Sequence, residues 1–146
     1  METTYSEAIQ SEVGQTALRD RAVILQRYCH GLAHESGWWK DKGGIDVRLR
    51  DDGGEFLNIW VAAKLALVHT EVSEGVEGFR KGKMDDHLPH RKMLEVELAD
   101  AIIRIFDLAG GLNLDVPGAI AEKLAYNANR ADHKPENRAK AGGKAF

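Results

Sequence analysis

Apolar positions along this chain recur at helical spacing in four stretches, and polar, glycine-rich segments separate them. From Ser6 to about Glu35, Val23, Ile24, Tyr28 and Leu32 make one stripe, with a break expected near Gly14. A second helix is predicted from Phe56 to about Arg80. Its first half is apolar almost all round, which predicts burial on several sides. A third is predicted from His90 to about Ala109, with Leu94, Leu98, Ala101, Ile105 and Leu108 as its core stripe and Gly110-Gly111 as its stop. Val96, Ile103 and Phe106 fall outside that stripe and predict apolar surface left over for a partner. Asp115 reads as the N-cap of a fourth helix that runs to about Arg130, with Pro117 in its first turn.

Between the first two helices, Lys40 to Glu55 is polar and carries Gly43-Gly44 and Gly53-Gly54. Loops of that length in compact domains tend to be lids, binding loops or disordered segments. No stretch alternates as a strand does. The fold class is therefore all-α: a bundle of four to five helices over residues 1–131, completed by oligomerisation. Residues 132–146 form a basic tail holding His133, Lys134, Arg138, Lys140 and Lys144, free either to stay disordered or to fold over an anionic ligand.

Composition narrows this picture. With 146 residues, 43% hydrophobic and 29% charged, the chain is long enough for a real core and ordinary for a globular protein. A formal net charge of −3 gives no electrostatic case for nucleic acid. Cys29 is the single cysteine, so neither an intrachain disulfide nor a cysteine metal cluster can form. The start of the chain lacks a signal-peptide pattern, and the most apolar stretch, Phe56 to Val68, is shorter than the roughly 20 residues of a membrane span. The expectation is a cytoplasmic protein with no membrane or nucleic-acid partner.

The chemistry concentrates in two acid pairs, Glu71/Glu74 and Glu97/Asp100, each three residues apart and set in apolar helices. Residues i and i+3 share a helix face. If the two helices pack together, four carboxylates converge, and each pair of charges about 4 Å apart repels by about 4 kcal/mol at an effective dielectric near 20. Hard divalent cations such as Mg²⁺ and Mn²⁺ take oxygen ligands of this kind. The plainer alternative is a solvated helix face, where such pairs are common. Lys64 lies seven residues before Glu71 and could serve as its counter-ion. His30 and His34, at i and i+4, could bind a metal but have no evident third ligand. Lys123, Asn127 and Arg130 share one face of the fourth helix, which could hold phosphate or simply face water.

Taken in order, Gly37-Trp38-Trp39, the acid pair Glu71/Glu74, the pair Glu97/Asp100 and the block Lys123 to Arg130 resemble the MazG-like all-α nucleoside triphosphate pyrophosphohydrolases over roughly Glu35 to Lys134. The resemblance implies Mg²⁺-dependent hydrolysis of a nucleoside triphosphate to the monophosphate and pyrophosphate, with Mn²⁺ able to substitute, by a homodimer or homotetramer. It implies Glu71, Glu74, Glu97 and Asp100 as metal ligands, Glu71 and Glu74 being the catalytic pair. Some members carry a further acid directly before the first pair; here that position is Thr70. Lys123, Asn127 and Arg130 become candidates for the phosphates, with His133 and Lys134 as weaker ones. Trp38 and Trp39, at the mouth of the glycine-rich loop, are candidates for the nucleobase, with one ring expected to stack and the other to enter the core.

Three other readings compete. A phosphoribosyl-ATP pyrophosphohydrolase-like enzyme shares the fold and chemistry. A di-iron bundle needs Glu-x-x-His, which neither acid pair supplies. A non-catalytic helical oligomerisation or interaction module gives the acids no task.

Overall fold

The computed structural model describes residues 4–140. Its elements are helical: α1 (Tyr5–Gln10), α2 (Glu12–Glu35), α3 (Glu55–Lys81), α4 (Met93–Gly111), α5 (Val116–Asn129) and the short α6 (Pro135–Arg138), with 3₁₀ turns at Val47–Leu49 and Ala131–His133. Among the described residues there is no strand, only isolated bridges at Lys40–Asp46 and Met84–Lys92. The all-α expectation holds. The first predicted helix does break, at Ser11 rather than Gly14, and the expected tail forms a turn and α6 over its described part. Lys144 lies outside the described residues.

Contacts divide the chain into two compact units. One is Leu25–Leu114; the other combines the segment ending at Ile24 with the segment beginning at Asp115. In the second unit α1 packs on α5. Thr4 caps α1: its Oγ1 accepts the Glu7 N–H, and the Glu7 carboxylate accepts the Thr4 N–H. Asp115 caps α5 as predicted, accepting the Gly118 N–H at 3.0 Å, and pairs with Arg19 at 2.8 Å.

The unit Leu25–Leu114 is built on an antiparallel hairpin of α3 and α4. α3 turns Glu71, Gly75 and Gly78 inward, a stripe at i, i+4, i+7. Two of the three have no side chain, so α4 comes close: a Cβ on Gly78 would lie 2.8 Å from Met93, and one on Gly75 3.4 Å from Glu97. The connection between the helices is held by Asp85, whose buried carboxylate accepts the N–H groups of His87 and Leu88.

The core is Trp39, Val47 and Leu108, with Phe56, Leu57, Trp60, Val61 and Leu112 packed against it. Here two expectations fail. Gly110-Gly111 does not stop α4, which runs through Gly111. Gly111 instead makes room for an indole: a Cβ there would lie 2.1 Å from the Trp39 ring. The reversal comes afterwards, at Asn113, in the left-handed region at φ 55°.

The predicted stripe of α4 also fails in part. Ala101 and Leu108 are buried, but Leu98 and Ile105 face out together with Ile102. The buried residues of α4 are Glu97, Ala101, Phe106, Asp107, Leu108, Ala109 and Gly111. Of the three residues expected as leftover surface, Phe106 is buried, Val96 half-buried and Ile103 exposed. Nor is α3 covered on several sides, since Ile59, Leu65, Val72, Val76 and Phe79 are all exposed.

Candidate functional site

The close approach of α3 and α4 stacks charged residues between them in a ladder. Lys64 of α3 meets Asp107 of α4 at 2.6 Å, and one turn pair further on Glu71 meets Arg104 at 2.5 Å. Lys64 is thus the partner of Asp107, not of Glu71 as its spacing had allowed. Past Arg104 the ladder loses its cations. Glu71, Glu97 and Asp100 each offer an oxygen within 4.8 Å of the others. Glu71 and Glu97 are buried and Asp100 half-buried. Glu74 is exposed and stands outside this trio. Its i+3 position turns it off the stripe that Glu71, Gly75 and Gly78 define.

The electrostatics of the trio follow from burial without enough positive charge. Burial pushes the Glu97 carboxyl up to about 7, helped by a hydrogen bond shared with Glu71 and by the charges of Glu74, Glu71 and Asp100. Asp100 is also held above its ordinary range, by burial first and by the charge of Glu71, against the pull of Arg104.

Asp107 shows the opposite outcome one rung away. Burial raises it, but hydrogen bonds from Lys64, Trp39 and His30 outweigh burial and hold it below the ordinary carboxylate range. Trp39 Nε1 donates to its Oδ1 at 2.6 Å, and His30 Nδ1 lies 3.0 Å from the same oxygen. Sequence reasoning gave Asp107 no role. The signal was there: Glu97, Asp100, Arg104 and Asp107 run at i, i+3, i+7, i+10 along one face of a helix.

The two tryptophans separate. Trp39 is 0% exposed, with Lys64 4.5 Å and Arg48 5.1 Å from its ring and His30 edge-on. It has no free face for a base. Trp38 is 67% exposed. It lines a cavity of about 590 Å³ whose wall also includes Lys64, Asp100, Arg104 and Asp107, with Leu32 and Ile103 among its apolar members. The cavity therefore brings one acid of the trio, two cations and one indole face together. His30 and His34 do not share a metal site. His30 serves Asp107, and His34 Nε2 faces Asp46 at 3.5 Å.

Lys123, Asn127 and Arg130 lie in the other unit. Lys123 and Arg130 both lie against the Tyr126 ring, at 4.8 and 5.9 Å, and Arg130 forms an ion pair with Asp132 at 2.5 Å. Asn127 Oδ1 is buried with no hydrogen-bond partner among the described residues. His133 and Lys134 are exposed.

The trio fits a hard divalent cation. Its donors are all carboxylate oxygens, and they outnumber the one arginine that touches them, so excess negative charge is buried. Nitrogen and sulfur donors, which would favour zinc, are absent from the group. No helix among the described residues is long and apolar enough to cross a membrane. No protein family, curated protein or solved structure was found to match this chain.

Proposed function

We propose that the chain is a metal-dependent nucleoside triphosphate pyrophosphohydrolase of the MazG-like kind, acting as a dimer or a pair of dimers. The observation that carries this reading is the trio Glu71, Glu97 and Asp100, undercompensated and half-open beside a cavity of nucleotide size. A pocket of several hundred Å³ with apolar walls and a few polar groups is typical of small-molecule sites.

In this reading the labour divides among the residues by their position. Glu71, Glu97 and Asp100 hold Mg²⁺ or Mn²⁺. A cation bound there screens phosphate oxygens and acidifies a water. Arg104, fixed by Glu71 through Nε, is 41% exposed and lines the cavity, where a guanidinium suits phosphate oxygens. Lys64 is locked by Asp107 and contributes a fixed positive field. The Trp38 indole offers a face for the base. Glu74, outside the trio, acts through its charge on Glu97. Water attacks the α-phosphorus, the bond to the bridging oxygen breaks, and pyrophosphate leaves with that oxygen. Lys123, Asn127 and Arg130 remain phosphate candidates on the resemblance alone.

The test is a panel of ribo- and deoxyribonucleoside triphosphates, with phosphoribosyl-ATP beside them, each with Mg²⁺ or Mn²⁺ and with products separated by chromatography. Monophosphate and pyrophosphate are expected. Orthophosphate as the first product, or full activity in excess chelator, rejects the reading. The ion-pair ladder also favours a second reading, in which these charges only lock the hairpin. That reading predicts no thermal stabilisation by divalent metal, whereas a ligand bound only to the folded state raises its stability.

A further inference from the structure

Arg104 is the one cation that touches the acid trio, and it holds that place by one bond. We propose, resting on the metal reading above, that Arg104 is the resident counter-ion of the trio: it gives up Glu71 when a divalent metal enters and is then free to take a phosphate of the substrate. Metal and nucleotide are thereby coupled through a single side chain.

The bond is partial. Arg104 Nε donates to Glu71 Oε1 at 2.5 Å. No hydrogen bond from either terminal nitrogen, and no ion pair from Arg104 to Glu97 or Asp100, is found among the described residues. A guanidinium grips a carboxylate best with two parallel N–H groups, and here one is engaged.

Burial is one-sided. The Glu71 side chain is 7% exposed and that of Arg104 41%. Glu71 is fixed on the buried stripe that it shares with Gly75 and Gly78, whereas Arg104 borders the cavity beside Trp38. The cation can move into open space, and the acid cannot follow it. The neighbouring rung is different. Asp107 is buried, Lys64 is half-buried, and Trp39 and His30 hold the same carboxylate as Lys64 does. The ladder therefore has one fixed rung and one that can exchange.

Charge decides what drives the exchange. Departure of Arg104 alone would strand Glu71, a buried acid with Glu97 and Asp100 within reach, and removing one partner of a buried pair is costly. A divalent cation on the oxygens of the trio removes that cost and repels the guanidinium beside it. The released side chain then brings an uncompensated charge to the cavity wall, and its planar fork matches phosphate oxygens. By linkage, each ligand strengthens the other.

The experiment is calorimetric titration of the full chain with Mn²⁺ alone, in the parent, Arg104→Gln and Arg104→Lys. Arg104→Gln should bind Mn²⁺ tighter than the parent by about fivefold or more, the usual size of such a coupling. Arg104→Lys keeps the charge and should stay near the parent. Without metal, Arg104→Gln should melt below the parent, and saturating Mn²⁺ should close that gap; an arginine with a purely structural role leaves it open. A readout on the parent itself is the Arg104 Nε–H resonance, assigned by its loss in either variant. Added Mg²⁺ should shift it and speed its exchange with water. Unchanged or weaker Mn²⁺ binding in Arg104→Gln overturns the proposal. So does equal tightening in Arg104→Lys, or a resonance that saturating Mg²⁺ leaves in place. If parent and Arg104→Gln bind Mn²⁺ alike, this inference fails alone; if neither binds it, the metal reading fails as well.

Discussion

Glu97 is a carboxylate in a place that favours its neutral form, and this has a measurable sign. Its folded pKa, about 7, lies above the ordinary 4.5. Between those values the folded chain keeps a proton that the unfolded chain has released. Stability from this group is therefore complete below pH 4.5 and is lost as pH rises through 7. Asp100 adds in the same direction. Asp46 and Asp107 are depressed and act the other way, but only as pH falls through the acid range. Metal-free protein should accordingly melt at a lower temperature at pH 8 than at pH 5. Glu97→Gln should flatten that difference, raise the melting temperature at pH 8 without metal, and abolish stabilisation by Mg²⁺. An unaltered pH dependence in the variant would show that Glu97 is not the strained group.

The tryptophan pair gives a second prediction at the same scale. Trp39→Ala should cost about 3–5 kcal/mol, the usual loss for a large buried aromatic, and it also strips a donor from the buried Asp107. Trp38→Ala should leave stability within about 0.5 kcal/mol and raise KM for the triphosphate. Melting curves and steady-state kinetics on each variant check this; equal destabilisation by both, or an unmoved KM, defeats it. The sequence showed that two adjacent indoles could divide the roles. It could not show which turned inward, because the partners that decide it, Asp107 and Gly111, lie some seventy residues further along.

At the scale of elements, helix existence was legible and helix orientation was not. The periodicity of α3 and α4 placed their ends within about two or three residues, the margin usual for such boundaries. Reading α4 by the rule that apolar residues face inward put Leu98 and Ile105 in the core. The structure sends them outward because α3 presents Lys64, Glu71 and two glycines, and a charged stripe matches that surface better than leucines do. The glycines mark where the rule breaks. Gly111 reads as a helix stop by position, yet its role is to admit Trp39. Gly111→Ala should therefore destabilise well beyond propensity, since its Cβ would collide with a buried ring that cannot move aside. Gly31→Ala is the control. It lies within α2 with nothing within 4 Å of its added Cβ, so it should stabilise by up to about 1 kcal/mol. Chemical denaturation of the two variants decides the matter; similar effects of the two would remove the packing explanation for Gly111.

For the molecule as a whole, the unanswered demand is apolar. Leu65, Val72, Val76 and Phe79 recur along α3 at i, i+7, i+11, i+14, all exposed, and Leu98, Ile102 and Ile105 recur along α4 at i, i+4, i+7, also exposed. Scattered exposed leucines need no account, but two continuous stripes on neighbouring helices form a surface of the kind that marks an interface. Leftover apolar surface was legible in the sequence, which held more apolar residues on the third predicted helix than its core stripe used. The residues were assigned only in part: Ile103 is exposed as expected, Phe106 went inside, and Leu98, Ile102 and Ile105 joined the outer face. We expect the second copy of the chain to cover these stripes, with the ladder of charges left between α3 and α4 of each subunit. Sedimentation equilibrium at micromolar concentration should then give a dimer or a tetramer. Ile102→Lys should shift the chain toward monomer while leaving its helical circular dichroism unchanged, because the residue faces away from its own hairpin. A parent that sediments as a monomer refutes the interface outright, and an Ile102→Lys variant that still assembles places it on another face.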